Sequence, residues 1–325
     1  MKARIIITSL LFIPFLYCLG EFFILNEKFS IKARDFRKFF NTHSPLMKTI
    51  KGLSYGYYSQ VTPYKISSIC PGVDKFIFYC PITDGNPLRD LFYTVSFQTK
   101  DRPGDWLLDR FKDHKNIYYL DIPSKFRIYA DKWPLSRGVT PQYHLADAAC
   151  KIYSKVLGER YFSIRLVESI LSEHKDKYIY FYRDTHWTTI GAYHLIKKMN
   201  LSFIRELQFD VGGDYGGDLV TMSNTLAGAS FKSVDEAISI QNSKVKVTTL
   251  DGANRRHFVN PESKGARILI VGDSFRESFS PILAEFASSV DEYHLSTFKD
   301  LDIDHHQFDY VFILRTERYI PNGLF

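Results

Sequence analysis

The chain has 325 residues, of which 45% are hydrophobic and 24% charged, so it can bury a sizeable core and is not intrinsically disordered. Its net charge of +6 comes from lysines and arginines that are spread along the sequence rather than grouped in basic blocks. Because neutralising a phosphate backbone needs clustered cations, we expect no nucleic-acid partner.

The amino-terminal residues predict a membrane anchor. Residues 5–25 follow Lys2 and Arg4 and contain a single charged side chain, Glu21. A spanning helix needs about 20 apolar residues, and no small-residue cleavage pattern is present. Residues 1–25 are therefore interpreted as a transmembrane signal anchor, with a cleaved signal peptide as the alternative. Lysines and arginines also follow the segment, so charge alone favours the opposite orientation to the extracytoplasmic one that the chemistry below implies.

Residues 26–60 are interpreted as a basic juxtamembrane linker, and residues 61–325 as one α/β domain. Short apolar runs typical of buried parallel strands lie at residues 76–80, 116–120, 178–182, 267–271 and 309–314. Helical patterns lie at residues 105–113, 145–157, 164–174, 188–201, 218–226 and 275–289. This alternation predicts a mostly parallel sheet between two layers of helices. Residues 227–263 are interpreted as an insertion that can hold a small β-hairpin beside the main sheet.

Three cysteines lie outside the predicted anchor: Cys70, Cys80 and Cys150. An odd number permits at most one bridge within the chain. Cys70 and Cys80 flank a predicted turn and can close a loop in an oxidising compartment, but Cys150 is an equally permissible partner. All three can also be free buried thiols, and the sequence leaves these alternatives open.

A serine follows the strand predicted at 267–271, in the sequence Gly272-Asp273-Ser274, and stands at the start of a predicted helix. Ligands in open α/β folds bind at the carboxyl ends of the strands, so this turn would present the serine hydroxyl to solvent. The backbone N–H of Ser274 would then be available to an oxyanion, helped by the positive end of the helix dipole. The alternative is a serine that only caps the helix.

Asp184 and His186 predict a base for such a serine, because they follow the strand predicted at 178–182 at the same edge of the sheet. With one residue between them in an extended chain, both side chains point to the same side, and the carboxylate can hold the imidazole N–H. A structural Asp–His pair in a surface loop is the alternative, but two such turns at two strand ends favour a site. Trp187, beside the base, either stacks on a sugar ring or wedges the turn in place.

Several motifs have to be considered together. They are Pro123-Ser124-Lys125, Asp184-Thr185-His186-Trp187-Thr188, Gly191-Ala192-Tyr193, Gly217-Asp218-Leu219, Gly272-Asp273-Ser274-Phe275 and Glu317-Arg318-Tyr319. In combination they resemble the AlgX/AlgJ-type polysaccharide O-acetyltransferases. The resemblance implies an SGNH-hydrolase-like three-layer sandwich in which Ser274 is the nucleophile, His186 the general base and Asp184 its orienting carboxylate. The Asp–His pair precedes the serine, as in the permuted order of these acetyltransferases.

The function that the resemblance implies is transfer of an acetyl group, through an acyl-serine, to sugar hydroxyls of an exported bacterial polysaccharide. Such a substrate places the enzyme in the periplasm, anchored to the inner membrane, with acetyl supplied through a membrane-bound O-acyltransferase and with no cofactor. A polysaccharide acetylesterase would use the same three residues with water as the acceptor. A non-catalytic polysaccharide-binding protein of the export machinery is the third alternative.

Other polar residues are weaker candidates. Arg276 and Arg318 are possible oxyanion partners, but a structural ion pair is the favoured interpretation of both. The glycine-rich residues 212–218 match no Walker or dinucleotide fingerprint and are interpreted as a loop near the site that permits close approach of an extended substrate. His305 and His306 lie near acidic residues without ordered ligand spacing, so we expect a solvated loop rather than a metal site.

Overall fold

The computed structural model describes residues 69–71, 75–79, 106–111, 113–132, 144–219, 235–252 and 254–317. The predicted anchor and the predicted linker lie outside this described part of the chain. Within it, no helix combines the length and the apolar character that crossing a membrane requires.

The main sheet contains most of the described strands. The strands are β1 (Ile69–Pro71), β2 (Ile77–Tyr79), β3 (Ile117–Ile122), β4 (Tyr161–Phe162), β5 (Phe209–Tyr215), β6 (Asp235–Ile240), β7 (Lys246–Asp251), β8 (Arg255–Val259), β9 (Arg267–Gly272), β10 (Ser289–His294) and β11 (Tyr310–Thr316). Seven form one sheet in the order β4-β3-β11-β9-β10-β8-β7, and β1–β2 and β5–β6 form separate pairs. From β4 to β10 in that order the strands run parallel, and β8 and β7 continue antiparallel. The prediction of a mostly parallel sheet is confirmed.

Helices cover both faces of this sheet. The described α-helices are α1 (Trp106–Phe111), α2 (Lys125–Ile128), α3 (His144–Leu157), α4 (Ile164–Ser172), α5 (Thr189–Lys198), α6 (Arg276–Ala284) and α7 (Leu295–Phe298). Leu120 and Leu314 belong to a hydrophobic cluster that includes side chains of α4, α5 and α6. Tyr119 and Ile313, which alternate with them along the strands, belong to a second cluster with α1 and α3. The sheet therefore lies between two helical layers, as the βα pattern predicts.

The strand predictions had different outcomes. Those at 116–120, 267–271 and 309–314 are confirmed as β3, β9 and β11. The run at 76–80 contains β2, but this strand pairs antiparallel with β1 outside the main sheet. The prediction of a strand at 178–182 is wrong. This segment forms one isolated β-bridge, between Tyr180 and Trp187. Main-chain groups of this segment bond the side chains of Lys125 and Asp235 instead.

The helix predictions were better. Four of them are found as α1, α3, α4 and α5, within a few residues of the predicted bounds. The helix predicted at 275–289 ends at Ala284, because the Asn260 amide donates to the carbonyl oxygens of Ala284 at 3.3 Å and Glu285 at 2.9 Å. The chain then enters β10, which the sequence pattern did not predict. Most of the helix predicted at 218–226 lies outside the described residues.

The segment interpreted as an insertion, residues 227–263, contains β6, β7 and β8. A hairpin is present, but β8 pairs with β10, so β7 and β8 extend the main sheet rather than lie beside it. β10 accepts this neighbour despite its polar sequence because its buried Glu292 bonds Arg256 at 2.8 and 2.7 Å and lies 3.1 Å from Arg276 Nε. The charge of the strand is thus neutralised by side chains remote in sequence.

Cys150, in α3, is a free thiol whose Sγ atom lies 3.5 Å from Ser154 Oγ. It is therefore not the disulfide partner of another cysteine. Cys80 lies outside the described residues, so the bridge between Cys70 and Cys80 stays a prediction.

Candidate active site

Ser274 lies in the connection between β9, which ends at Gly272, and α6, which begins at Arg276. Residues 272–275 are called the serine turn below. A Cβ atom at Gly272 would lie 3.0 Å from both the Cβ atom and the carbonyl oxygen of Leu314, so a larger residue would push against β11 and glycine favours this close approach. The serine turn is therefore at the carboxyl end of a central strand, where the sequence placed it.

Asp273 fastens the serine turn to β11. Its buried carboxylate accepts hydrogen bonds from the N–H of Phe275 at 3.0 Å and from the N–H and hydroxyl of Thr316 at 2.6 and 2.8 Å. Its own N–H donates to the Leu314 carbonyl at 3.3 Å. No group in the described part of the chain accepts a hydrogen bond from the Ser274 N–H. That donor is therefore available at the positive end of α6.

The structure brings the three sequence-predicted site residues together. Ser274 Oγ lies 2.6 Å from His186 Nε2, and His186 Nδ1 lies 2.5 Å from Asp184 Oδ1. Asp184 Oδ1 also accepts the backbone N–H of His186 at 2.8 Å. The pair thus lies in a tight bend, and the extended chain assumed in the prediction is wrong. The carboxylate still reaches the ring because it folds back over the main chain.

The protonation states follow from these contacts. Burial by itself raises the pKa of Asp184, but the hydrogen bond and charge of His186, with the backbone N–H groups of Asp218 and His186, outweigh burial and lower the pKa to about 2. Asp184 is therefore ionised at neutral pH, and the ring nitrogen facing it, Nδ1, carries a proton. When the ring is neutral, the lone pair of Nε2 then points at the Ser274 hydroxyl. This arrangement can accept the serine proton and stabilise the resulting imidazolium.

Side chains from distant parts of the chain hold residues 178–187, called the histidine loop below. Asp235, which begins β6, accepts hydrogen bonds from the N–H groups of Tyr182 and Arg183 at 2.6 and 2.7 Å. Lys125, which begins α2, donates to main-chain carbonyl oxygens of the loop. These bonds satisfy backbone groups that strand pairing would otherwise satisfy, which is why the apolar run at 178–182 forms no strand.

Asp218 is a site residue whose role the sequence did not indicate. Its carboxylate accepts the N–H and the hydroxyl of Thr185 at 2.7 and 2.6 Å, and its N–H donates to Asp184 Oδ2 at 2.9 Å. Burial and then the charge of Asp184 raise its pKa. A Cβ atom at Gly217 would lie 2.2 Å from the Arg183 carbonyl oxygen, so glycine lets Asp218 approach this closely. The Gly217-Asp218 motif could have drawn attention to this residue in the sequence, but its distance along the chain from Asp184 and Ser274 did not indicate what Asp218 does.

Trp187 is fully buried, which decides between its two interpretations. Its Nε1 donates to the Phe275 carbonyl at 2.8 Å, and its ring stacks on Phe279 with 6.2 Å between centroids and 5° between planes. The wedge interpretation is confirmed and the sugar-stacking interpretation is wrong. Trp187 joins the histidine loop to the serine turn and α6.

Arg276 makes structural contacts, in agreement with the interpretation that the sequence favoured over a role as an oxyanion partner. Its Nη1 donates to the Asp273 carbonyl at 2.9 Å and its Nε lies 3.1 Å from Glu292 Oε1. Its side chain is 1% exposed, so it contacts the serine turn from the interior of the protein. Arg318, the second arginine considered, lies outside the described residues.

The glycine-rich segment is a loop near the site in its second part, where Gly216 and Gly217 follow β5 and Gly217 lies against Arg183. Its first part is a strand. Gly212 and Gly213 lie in β5, and that strand pairs with β6. The end of β5 does reach the site, because the Tyr215 hydroxyl donates to Asp184 Oδ2 at 3.4 Å. The segment therefore supports Asp184 from the side opposite His186.

His305 and His306 form part of a short 3₁₀ turn. The ring of His305 packs edge-on against Phe111 with 5.3 Å between centroids, and the His306 N–H donates to Asp304. Among the described residues, the clustered side chains able to supply three metal ligands are Asp184, His186 and Asp218. Their oxygen and nitrogen atoms already bond one another and the histidine loop, an arrangement that orients the imidazole for proton transfer.

The fold has relatives among solved structures, although no protein-family model and no curated protein matches the sequence. A DHHW family protein from Eubacterium siraeum has a TM-score of 0.53 at 13% identity, over 79% of this chain and 93% of that one. The O-acetyltransferase domain of Pseudomonas putida AlgJ has a TM-score of 0.51 at 15% identity, over 78% and 92%. Bacillus cereus PatB1, solved with a sulfonyl adduct, has a TM-score of 0.50 at 14% identity, over 78% and 94%.

These similarities extend over nearly the whole of each relative. The resemblance to AlgX/AlgJ-type proteins that the motifs suggested is therefore confirmed at the level of the fold. With identities of 13–15%, the comparisons establish the fold and not the activity.

Proposed function

We propose that this protein is an O-acetyltransferase that moves an acetyl group to sugar hydroxyls of an exported bacterial polysaccharide. The observation that carries the proposal is the hydrogen-bonded series of Ser274, His186 and Asp184, in which Nε2 lies 2.6 Å from the serine oxygen. The similarity to the O-acetyltransferase domain of AlgJ supports acetyl as the transferred group. In this proposal Ser274 is the nucleophile, His186 the general base and Asp184 the carboxylate that orients it.

In the first half-reaction Ser274 Oγ attacks the carbonyl carbon of the acetyl donor while its proton moves to His186 Nε2. The carbonyl electron pair moves onto oxygen, and the Ser274 N–H at the start of α6 donates to that oxyanion. When the tetrahedral intermediate collapses, the bond to the leaving group breaks and the leaving group takes the proton from Nε2. Asp184 stays ionised throughout and stabilises the imidazolium.

In the second half-reaction a sugar hydroxyl replaces the leaving group. His186 Nε2 accepts the hydroxyl proton as the sugar oxygen attacks the acetyl-serine carbonyl. Collapse breaks the bond between Ser274 Oγ and the acyl carbon, and Nε2 returns the proton to Oγ. The sugar leaves as its acetyl ester and the serine is regenerated.

The compartment belongs to the same proposal. A polymer that is being exported meets the enzyme outside the cytoplasmic membrane, to which residues 1–25 would anchor it. Acetyl donors made in the cytoplasm would then reach the site through a membrane-bound O-acyltransferase partner. This partner would have to deliver the acetyl group to the edge of the sheet that carries Ser274.

The test uses the full chain with p-nitrophenyl acetate as donor and an oligosaccharide as acceptor. We expect an acetyl group on the peptide that contains Ser274, acetylated oligosaccharide as product, and loss of both in Ser274→Ala. Ser288→Ala is the matched control, because the Ser288 hydroxyl bonds the Ala266 carbonyl at 3.2 Å, away from the site. This control should keep the wild-type rate.

Two results would change the conclusion. Retained acetyl transfer in a folded Ser274→Ala variant would show that the nucleophile is another group. Acetate release with no acetylated sugar, at a rate independent of the acceptor, would favour an acetylesterase that uses the same three residues.

A further inference from the structure

Lys125 is a buried lysine whose ammonium group binds the histidine loop. The residue is 3% exposed and lies at the start of α2, shortly after β3. Its Nζ atom donates to three main-chain carbonyl oxygens of the loop, those of Phe181 at 3.2 Å, Tyr182 at 3.0 Å and Asp184 at 2.6 Å. An ammonium group has three N–H donors, so each has a main-chain acceptor here.

The surroundings of this ammonium are otherwise acidic and aromatic. The carboxylates of Asp184, Asp235 and Asp218 face it, and the ring of Phe78 in β2 lies 5.5 Å from Nζ. Burial is the largest influence and lowers the pKa of Lys125 to about 8, although the three carboxylates act in the opposite direction. The positive charge therefore offsets part of the negative charge that Asp184 and Asp218 bring to the site.

A neutral side chain of the same length could not replace this lysine. It would leave the carbonyl oxygens of Phe181 and Asp184 without this buried donor, whereas the Tyr182 carbonyl would keep the N–H of Ile77 at 2.9 Å. It would also remove a buried positive charge beside the Asp184 main chain. The contacts of His186, 2.5 Å to Asp184 Oδ1 and 2.6 Å to Ser274 Oγ, depend on where that main chain lies. A misplacement of about 1 Å in a reacting geometry can cost about 100-fold in rate.

We propose that Lys125 is a positioning residue: by binding the main chain of the histidine loop, it keeps the Asp184 carboxylate and the His186 ring aligned with Ser274. The inference rests on the proposed function, since acylation of Ser274 is the step that this alignment serves. Lys125 touches neither substrate nor reacting atoms and acts through Asp184.

The first test is Lys125→Met, which keeps the length of the side chain and removes its charge and donors. For acylation by p-nitrophenyl acetate we expect kcat to fall roughly 10- to 100-fold with KM within about 2-fold of wild type. The proton resonance of His186 Nδ1–H, measured by NMR, should move upfield because its hydrogen bond to Asp184 is lengthened. A purely structural lysine would lower thermal stability and leave this resonance in place.

Arg127→Met is the matched control. Arg127 is a buried cation in the same short helix, and it pairs with Glu317. Its replacement should lower the unfolding temperature but keep kcat and the His186 resonance of the wild type. An equal fall in kcat for the two variants at equal stability would mean that any damage to α2 suffices, and the proposal would be overturned.

A second measurement uses the wild type and is decisive even where Lys125→Met does not fold. A neutral amine has two N–H donors, so deprotonation of Lys125 withdraws one carbonyl bond and the charge. We expect the acylation rate to fall as the pH rises through about 8, a limb that a folded Lys125→Met variant lacks. A wild-type rate that is flat from pH 7 to 10, or an unchanged kcat in Lys125→Met, overturns the proposal. A wild type that forms no acetyl-serine refutes the proposed function instead.

Discussion

The serine turn and the histidine loop meet at one point but are built in different ways. The serine turn directly connects β9 with α6, and these two elements carry Ser274 to the edge of the sheet. Among the residues that the structure describes, the histidine loop forms a single isolated β-bridge. Its polar partners Lys125, Asp218 and Asp235 lie 59, 33 and 53 residues from the positions that they bind.

This difference separates two sources of precision. The serine turn is positioned by the strand and the helix that flank it, each of which is stabilised by many hydrogen bonds. The Asp273 carboxylate also bonds Thr316 in β11. The histidine loop takes its position from a few buried polar contacts between remote segments. Losing one such contact leaves a buried group unsatisfied, so the loop should respond more strongly than the turn to a single substitution.

The largest effect should come from breaking the bond between the two regions. Ser274→Ala, His186→Ala and Asp184→Ala should each lower kcat by on the order of 10⁴-fold or more, with the far-ultraviolet circular dichroism of the wild type. Because the residues act as one unit, the double variant Ser274→Ala/His186→Ala should be no slower than Ser274→Ala. Additive losses in the double variant would show that the turn and the loop act separately.

An intermediate effect should separate the two regions. Asp235→Asn keeps one oxygen acceptor and places the amide N–H₂ against the N–H of either Tyr182 or Arg183, because these two bond different carboxylate oxygens. We therefore expect kcat to fall roughly 10- to 100-fold and stability to fall by about 1–3 kcal/mol. Thr316→Val removes one of the two bonds from Thr316 to Asp273 and should change kcat by less than about 3-fold.

Both variants would be measured with p-nitrophenyl acetate and by denaturant unfolding. Equal losses of kcat in Asp235→Asn and Thr316→Val would contradict the comparison, because the serine turn would then depend on single polar contacts as much as the histidine loop does.

The smallest expected effect is a loss of stability at low pH. The pKa of Asp184 is lowered from 3.8 to about 2, because the contacts of His186 and the N–H groups around it outweigh burial. A lowered pKa means that the unfolded chain binds the proton more tightly, so this contribution to stability is complete above about pH 4 and is lost as the pH falls through 2. The difference in unfolding free energy between wild type and Asp184→Asn should therefore shrink between pH 4 and pH 2. A constant difference over that range would show that the ionised form is not stabilised by the histidine loop.

Which strands could be predicted from the sequence also depends on whether local pattern or contacts between distant segments determine the structure. The strands β3, β9 and β11 could be found because parallel strands buried on both faces are continuous apolar runs. β10 could not, since its sequence is polar and Glu292 becomes tolerable in the core only through Arg256 and Arg276. Residues 178–182 look like a strand, but Asp235 and Lys125 bind their main chain instead.

The amino-acid sequence by itself determined the α/β alternation, the strand-to-helix turn that carries Ser274, and the choice of Asp184 and His186 as its partners. These features depend on side-chain periodicity, glycine and short spacing, which act over a few residues. The tertiary structure alone decided that Trp187 is a buried wedge, that Asp218 brackets Thr185, and that Lys125 holds the histidine loop. Those contacts join segments far apart in the chain, and their energy comes from burying polar groups together, which no local pattern records.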